Sequence, residues 1–596
     1  MPSRIEDYAL LSDCETAALV ARDGSIDWLC WPRFDSGACF AALLGTTDHG
    51  RWQIAPRQPD ARVRRRYRPD TLILETEFET ASGSVRLLDF MPLRDQGSSV
   101  IRLVVGQSGQ VAMHTELVVR FDYGNWVPWV TRLEDGAFSA IAGPHRLTMR
   151  TPVPLRGQDL KTVGEFTVSA GQTIPFVLSY CESHREPPPA LDCADALAQT
   201  ERFWREWSAR DSACGEYSAL VKRSLITLKA LTYRPTGGIV AAVTTSLPEQ
   251  PGGTRNWDYR FCWLRDSTFT LQALMNGGHF EEAQAWRDWL LRALAGDPAQ
   301  VQIMYGIAGE RRLTEWEVPW LPGYQGARPV RIGNAAAEQR QHDLYGEVMD
   351  TMHHARLNQL PSNEAGWPLQ IKLLEHLESL WQQPDRGMWE IRGEPRHFTH
   401  SKVMCWVAFD RAIKSAEQFH LQGPVEHWQR VRRHIHEQVC RRAYNADLGA
   451  FVQSYDAREL DASELLLAQV GFLPPTDPRI RGTVEAIGRE LMADGLIRRY
   501  RTEQGVDGLP PGEGEFLACS FWYADNLILL DRREEARRLF ERLVGLCNDV
   551  GLLSEQYDGR RAALLGNFPQ AFSHVALVNT AYNLAHPAGP ARQRSA

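Results

Sequence analysis

The hydrophobic pattern of this chain changes its period near residue 190, and this change restricts the possible folds more than any other feature. Before it, short segments rich in Val, Thr, Phe and Leu alternate between Gly and Asp turns, as in 71–80, 83–93 and 113–124. Segments of this kind predict an antiparallel β-sandwich. From residue 193 onward apolar residues recur at helical spacing, with no strand pattern and no fixed repeat length.

We therefore predict a multidomain α and β protein. Its parts are an N-terminal antiparallel β-sandwich over residues 1–190, a helical linker over 191–215 and a barrel of helical hairpins over 216–590. The length of 596 residues agrees with this division, since single hydrophobic cores stop growing near ~250–300 residues. Loops at one end of such a barrel would carry the functional residues.

Composition excludes several classes of partner. The net charge is −8 and no long run of Lys or Arg occurs, which argues against nucleic acid. No apolar stretch approaches a membrane span and no secretory signal is visible, so we predict no membrane partner. The eleven Cys contain no CxxC pair, which favours reduced thiols and a cytoplasmic location. The His residues lack metal-ligand spacing, so neither a metal nor a cofactor is predicted. Homo-oligomerisation stays open.

A loop-rich stretch at 252–274 combines aromatic and charged residues just before an apolar helix. An Arg–Asp pair such as Arg265–Asp266 suits a polyol, because Arg donates in a fixed fork while Asp accepts from two hydroxyls. A helix N-cap by Asp266 with a local salt bridge explains the same residues equally well. The candidate substrate-binding residues here are Trp257, Asp258, Tyr259, Trp263, Arg265 and Asp266.

Two further stretches supply candidate carboxylates. In 322–352 the segment from Arg331 leads into a helix that carries Tyr345 and Glu347. A carboxyl beside apolar and aromatic neighbours has a raised pKa, as a general acid needs, although a mid-helix Glu is more often a surface residue. In 552–581, Glu555 and Gln556 lie in a loop between helices, with Asp558 and Asp549 as rival acids.

Two supporting stretches precede predicted helices. His400 and Lys402 open one helix, and Glu513 comes shortly before another. These three complete the candidate substrate-binding residues, together with Arg331, Tyr345 and Gln556. Each stretch is also explained by helix capping. Composition and spacing thus predict a site rich in carboxylates, Arg and Trp, which is consistent with carbohydrate chemistry.

Together, the stretches 252–274, 322–352 and 552–581 resemble glycoside hydrolase family 15, the family of glucoamylases, glucodextranases and bacterial trehalases. Residues 7–35 also resemble the trehalase-like N-terminal domain of its bacterial members. The resemblance implies an N-terminal β-sandwich, a helical linker and an (α/α)6 barrel. It further implies an inverting reaction, with Glu347 in Tyr-Gly-Glu-Val as general acid and Glu555 in Ser-Glu-Gln-Tyr as general base. The terminal glucose would then be held by Tyr259, Trp263, Arg265 and Asp266.

The substrate expected from the resemblance is an α-glucoside, cleaved from its end to release β-glucose. Fungal members carry Trp where residues 325–327 read Gln-Gly-Ala, which argues against starch and favours α,α-trehalose. Isomaltose or short oligosaccharides, cleaved by a glucoamylase-type activity, are the alternative. A catalytically silent sugar-binding protein and a phosphorylase are the rival classes; Lys402 and the pair Arg328 and Arg331 leave the phosphorylase open.

Overall fold

The computed structural model describes residues 2–94, 97–212, 214–361 and 365–595. Strands dominate the first third of the chain, whereas the remainder consists mainly of helices, with strands of two or three residues in the loops between them. The predicted fold class, a β-sandwich followed by a helical domain, is confirmed.

In the described part of the N-terminal domain, fifteen strands form one continuous antiparallel network. They are β1 Tyr8–Ser12, β2 Ala17–Ala21, β3 Ser25–Cys30, β4 Ala38–Phe40, β5 Arg51–Pro56, β6 Arg62–Tyr67, β7 Leu74–Thr80, β8 Gly83–Phe90, β9 Ser98–Val118, β10 Trp129–Arg132, β11 Phe138–Ala142, β12 His145–Arg150, β13 Arg156–Gln158, β14 Lys161–Ser169 and β15 Thr173–Glu182.

Strand β9, 21 residues long, belongs to both layers of the sandwich. Its first half pairs with β8 and β15, with Ile101 opposite Phe90 and Val177. Its second half pairs with β5 and β14, with Thr115 opposite Ile54 and Gly164. The two layers are therefore joined through one backbone segment.

The helices that follow the sandwich form a double-layered ring. They are α1 Cys193–Ser208, α2 Ser218–Ala230, α3 Ser267–Asn276, α4 Phe280–Leu294, α5 Asp343–Leu357, α6 Gly366–Leu380, α7 Thr399–Phe419, α8 Val425–Arg442, α9 Leu466–Gln469, α10 Pro478–Glu490, α11 Leu517–Leu529, α12 Arg533–Val544, α13 Ala571–Ala585 and α14 Pro590–Ser595.

Helices α3, α5, α7, α9, α11 and α13 contact one another in sequence and close the inner ring, since α13 also contacts α3. The outer ring packs against this inner ring, and each outer helix contacts an inner helix. The outer helices are α2, α4, α6, α8, α10 and α12. This order is that of an (α/α)6 barrel. The inner helices α5, α7, α11 and α13 are buried along nearly their full length.

Polar contacts fix the sandwich against the barrel. The indole nitrogen of Trp28 donates to the carbonyl of Val243 at 2.8 Å, and Arg260 reaches the carbonyl of Ser36 at 2.9 Å. Arg65 forms a salt bridge with Asp549 at 2.7 Å. In the described part of the chain, no helix has the length and apolar character needed to cross a membrane.

Candidate active site

A polar cleft opens where loops lead into the first turns of the inner helices α3, α7, α11 and α13. Its walls carry nine aromatic or cationic side chains, five carboxylates or amides and three apolar side chains. The lining residues are Glu249, Arg255, Trp257, Tyr259, Arg265, Asn334, Met388, Trp389, Glu390, Ile391, Arg392, Arg499, Tyr500, Asp507, Leu509, Phe516 and Gln570.

Glu555 lies behind the Tyr259 wall of this cleft. The Tyr259 hydroxyl donates to Glu555 Oε1 at 2.6 Å, and the backbone N–H of Asn567 approaches Oε2 at 3.4 Å. Gly566 faces the same carboxylate at a φ of +72°, where an added Cβ would lie 2.4 Å from Oε2. Only glycine permits this backbone to approach the carboxylate so closely.

The electrostatic surroundings of Glu555 favour its protonated form. Burial raises the pKa of this carboxyl, and the neighbouring charge of Glu249 raises it further. Arg499 and the Tyr259 hydroxyl act in the opposite direction and lower it. Arg499 is itself anchored, because its guanidinium donates to Glu249 at 2.8 Å. The protonation of Glu555 therefore depends on this small set of neighbours.

A second carboxylate, Glu390, lines the cleft on the loop before α7. Glu390 Oε1 accepts from the indole nitrogen of Trp263 at 2.6 Å and from Arg265 at 3.0 Å. The ring of Trp263 meets that of Tyr259 edge-on, with centroids 5.3 Å apart. Glu555 is thus hydrogen-bonded to Tyr259 and Glu390 to Trp263, and the two aromatic rings contact each other.

Arg265 and Asp266 form the charged pair that the sequence predicts at this position. Their side chains meet at 3.0 Å, and Arg265 also donates to the carbonyl of Met388 at 2.6 Å. Asp266 occupies the N-cap position of α3, but its side chain accepts no capping hydrogen bond. The salt bridge of the alternative interpretation is therefore present and the cap is not.

Glu347 lies away from the cleft and close to the C-terminal helix α14. Its two carboxylate oxygens accept from Arg594 Nη2 at 2.9 and 2.8 Å, and the side chain is buried. Burial raises the pKa of Glu347 to about 7, although Arg594 lowers it. The expected raised pKa is present, but the carboxyl is occupied by Arg594. The general-acid role of Glu347 stays a prediction, and in this geometry both of its carboxylate oxygens are bound to Arg594.

Three other predicted site residues have internal partners instead of facing the cleft. Asp258 is fully buried and binds Arg260 at 2.6 Å, besides accepting from the N–H of Gly333. Lys402 donates to the carbonyls of Trp381 and Gln383. Tyr345 is buried in α5, where its ring packs against His376. Their contacts are those of residues that hold loops and helices together.

The remaining predicted residues differ in their relation to the cleft. Glu513 is buried and binds Arg499, which lines the cleft. Gln556 and His400 are both buried, and among the described residues their side-chain polar atoms have no hydrogen-bond partner. Trp257 lines the cleft, with the guanidinium of Arg331 4.7 Å from its ring centroid.

Several cleft residues escaped the sequence analysis, above all Glu390 and Arg392. They occur in the segment Met388-Trp-Glu-Ile-Arg392, which has no helical or strand period. An aromatic, an acid and an Arg within four residues was the available signal, since such loops often carry binding residues. Glu249 and Arg499 are likewise loop residues, brought together across 250 positions of sequence.

The arrangement brings the carboxylates Glu390 and Glu555 together with several guanidiniums and aromatic faces at one cleft. Guanidiniums donate to hydroxyls, carboxylates accept from them, and two carboxyls can divide the roles of acid and base. Among the described residues, no group of three or more His, Cys, Asp or Glu is arranged to hold a metal ion. The groups present suit acid–base chemistry on a polyhydroxylated molecule.

Known proteins match this chain over nearly its whole length. The family model for glycosyl hydrolases family 15 matches residues 215–582, and a trehalase-like N-terminal model matches residues 1–152. A trehalase from Mycobacterium tuberculosis is 38% identical and covers 96% of this chain and 88% of its own length. A trehalase from Thermoplasma volcanium is 35% identical, with 98% of this chain and 93% of the relative covered.

Among solved structures, a bacterial glucoamylase complexed with acarbose matches the fold with a TM-score of 0.74 and 12% sequence identity. The match covers 100% of this chain and 96% of that one. The family resemblance predicted from the sequence is thus confirmed, and the chain belongs to glycosyl hydrolases family 15.

Proposed function

We propose that this protein hydrolyses α,α-trehalose to two glucose molecules with inversion, using Glu390 as general acid and Glu555 as general base. The observation that carries the proposal is the pairing of these carboxylates through Tyr259 and Trp263 in a polar cleft. The choice of trehalose rests on relatives named trehalase that match nearly the whole chain. All eleven Cys are free thiols, which supports a cytoplasmic enzyme.

In the proposed reaction, Glu390 gives its proton to the glycosidic oxygen as the bond from that oxygen to C1 breaks. Glu555 takes a proton from a water molecule, whose oxygen attacks C1 from the opposite face. Inverting pairs of this kind stand ~6.5–9.5 Å apart to leave room for the water. One glucose is released with a β-hydroxyl from the water, and the leaving glucose keeps its original α configuration.

The neighbours of the two carboxyls fix their orientation. Tyr259 and the N–H of Asn567 orient Glu555 and partly oppose the rise in its pKa that burial and Glu249 cause. Arg265 approaches Glu390 on one oxygen, and among the described residues no side chain is bonded to the other oxygen. That oxygen is the one we assign to proton transfer, since Oε1 already accepts from Trp263 and Arg265.

The direct test is proton NMR of the purified protein acting on α,α-trehalose, followed before mutarotation. Inversion gives α- and β-glucose in equal amounts at early times, whereas retention gives α-glucose alone. Isomaltose and maltose serve as comparison substrates. Turnover of isomaltose without turnover of trehalose would replace the substrate by the glucoamylase-type alternative, and no turnover of any would favour a sugar-binding protein or phosphorylase.

The pH profile should respond to the neighbours of Glu555 in opposite directions. Since the base must be ionised, kcat/KM falls as the pH drops through the pKa of Glu555, which burial and Glu249 raise. Tyr259→Phe removes a hydrogen bond that lowers this pKa, so the acidic limb should move to higher pH by up to ~1 unit. Glu249→Gln removes a raising charge and should move the limb to lower pH.

Initial rates on trehalose between pH 4 and 9 measure both shifts. The exposed variant Glu165→Gln on the sandwich is the control and should leave the limb in place. An unmoved limb in both Tyr259→Phe and Glu249→Gln would show that another group sets it.

A further inference from the structure

The leaving glucose of trehalose needs a binding position next to the general acid, and the segment after Glu390 provides one. Arg392 follows the acid by two residues and lines the same cleft. Its backbone is held firmly, because the N–H groups of Arg392 and Gly393 both donate to the carbonyl of Asp507, at 2.8 and 3.0 Å. Because the general acid must reach the glycosidic oxygen, the leaving glucose on the other side of that oxygen lies near the loop that carries the acid.

The Arg392 guanidinium is held in position by two side chains from other loops, Trp257 and Glu315. It lies 4.7 Å from the ring centroid of Trp257, and Arg331 lies at the same distance from that ring. Glu315 approaches both guanidiniums, each at 3.5 Å. A carboxylate between two cations on one indole offsets their mutual repulsion.

The two guanidiniums differ in how many donors they have left. Arg331 Nη1 donates to the carbonyls of Thr254 and Asn256, at 2.9 and 3.1 Å. Among the described residues, the Arg392 side chain makes a single hydrogen bond, from Nη2 to Glu315. Its Nε and Nη1 donors therefore remain available, and the side chain is 27% exposed in the cleft.

We propose that Arg392 binds hydroxyls of the leaving glucose, and that Trp257 and Glu315 hold its guanidinium in the required position. This inference rests on the proposed function, because it assigns the second sugar of the same substrate. A planar guanidinium with free donors suits a neutral sugar, whose vicinal hydroxyl oxygens accept hydrogen bonds. Arg392 then determines specificity for a sugar leaving group.

The alternative is a purely structural role, in which Arg392 only links the loop of Glu390 to the loop of Glu315. The two roles differ in their dependence on the leaving group. A substrate that keeps the cleaved glucose but lacks the second sugar has nothing for Arg392 to bind. If Arg392 instead held the acid loop in place, every substrate would be affected.

The experiment compares α,α-trehalose with α-D-glucosyl fluoride, whose leaving group is fluoride. For Arg392→Gln we expect kcat/KM on trehalose to fall roughly 10- to 100-fold, the usual effect of losing charge-assisted hydrogen bonds. Fluoride release from α-D-glucosyl fluoride should change less than about threefold. Arg489→Gln, an exposed charge on α10, is the control and should affect neither substrate.

Two companion variants keep the test independent of folding. Arg392→Lys keeps the charge without the planar fork and should recover part of the activity on trehalose. Glu315→Gln should lower activity on trehalose less than Arg392→Gln, since it only loosens the guanidinium. A matching thermal unfolding midpoint for each variant shows that the fold is kept.

Equal losses of Arg392→Gln on both substrates would overturn the inference in favour of the loop-holding role. An unchanged rate on trehalose would overturn it as well. If the unaltered protein hydrolyses the fluoride but not trehalose, the proposed substrate itself fails, and that result is visible before any variant is made.

Discussion

Glu390→Gln is expected to lower kcat on α,α-trehalose by about 100- to 10 000-fold, the usual contribution of a general acid. Gln keeps the hydrogen bonds that Trp263 and Arg265 give to Oε1 but has no proton to transfer. α-D-Glucosyl fluoride needs little protonation of its leaving group, so the variant should retain much of its activity on that substrate. Glu555→Gln should lose activity on both, because each reaction needs an activated water.

Glu347→Gln is the matched control for this prediction. Its side chain lies against Arg594 and is buried, so kcat should stay within about threefold of the unaltered protein. Coupled measurement of glucose release from trehalose covers all three variants. A large loss in Glu347→Gln together with a mild one in Glu390→Gln would return the acid to Glu347.

Arg594→Ala is expected to destabilise the protein by about 3–5 kcal/mol, the usual cost of leaving a buried charge unpaired. Arg594 binds Glu347 at 2.8 Å and Asp350 at 2.5 Å, and all three side chains are buried. Arg411 reinforces the cluster, since it binds Asp350 and donates to the Arg594 carbonyl at 2.6 Å. Removing one cation leaves two carboxyls with a single partner.

The cost should also depend on pH. Burial raises the folded-state pKa of Glu347 to about 7, and Arg594 lowers it, so the variant's Glu347 holds its proton more strongly. Between the ordinary Glu pKa of ~4.3 and that raised value, the native state binds more protons than the unfolded chain. Stability of the variant therefore falls as pH rises through this window, and its deficit should be larger at pH 8 than at pH 5.

Guanidinium chloride unfolding at the two pH values measures this deficit. The control is Arg592→Ala on the same helix, because Arg592 is exposed and donates only to a backbone carbonyl. Its effect should lie within about 0.5 kcal/mol. Similar midpoints for Arg592→Ala and Arg594→Ala would contradict the importance of the buried cluster.

The fold was accessible from the sequence because hydrophobic period reports which faces are buried. The last strand of the sandwich ends at Glu182 and the next helix begins at Cys193, and the loop residues Tyr259, Trp263 and Arg265 lie close together beside Glu390. These residues are adjacent in sequence, so local pattern was enough to group them. Glu555 was assigned to the same site because its Ser-Glu-Gln-Tyr motif resembles that of the family.

Glu347 and Glu390 show where sequence reasoning stopped. Helical spacing indicates that Glu347 is buried, yet it does not say whether the side chain faces the cleft or the C-terminal helix. Glu390 meets Trp263 across 127 positions of sequence, and no local pattern encodes such a contact. Asp258 and Lys402 have the residue types of a binding site, but their partners are supplied by the tertiary structure.

The pairing of strand β9 with both layers makes unfolding of the sandwich cooperative. Because its two halves pair with strands of different layers, opening either layer strips hydrogen-bond partners from the backbone of the other. The layers therefore cannot act as separate foldons, and local opening must start at outer strands such as β10 and β13. Amide hydrogens along residues 98–118 then share one slow exchange regime, that of the whole domain.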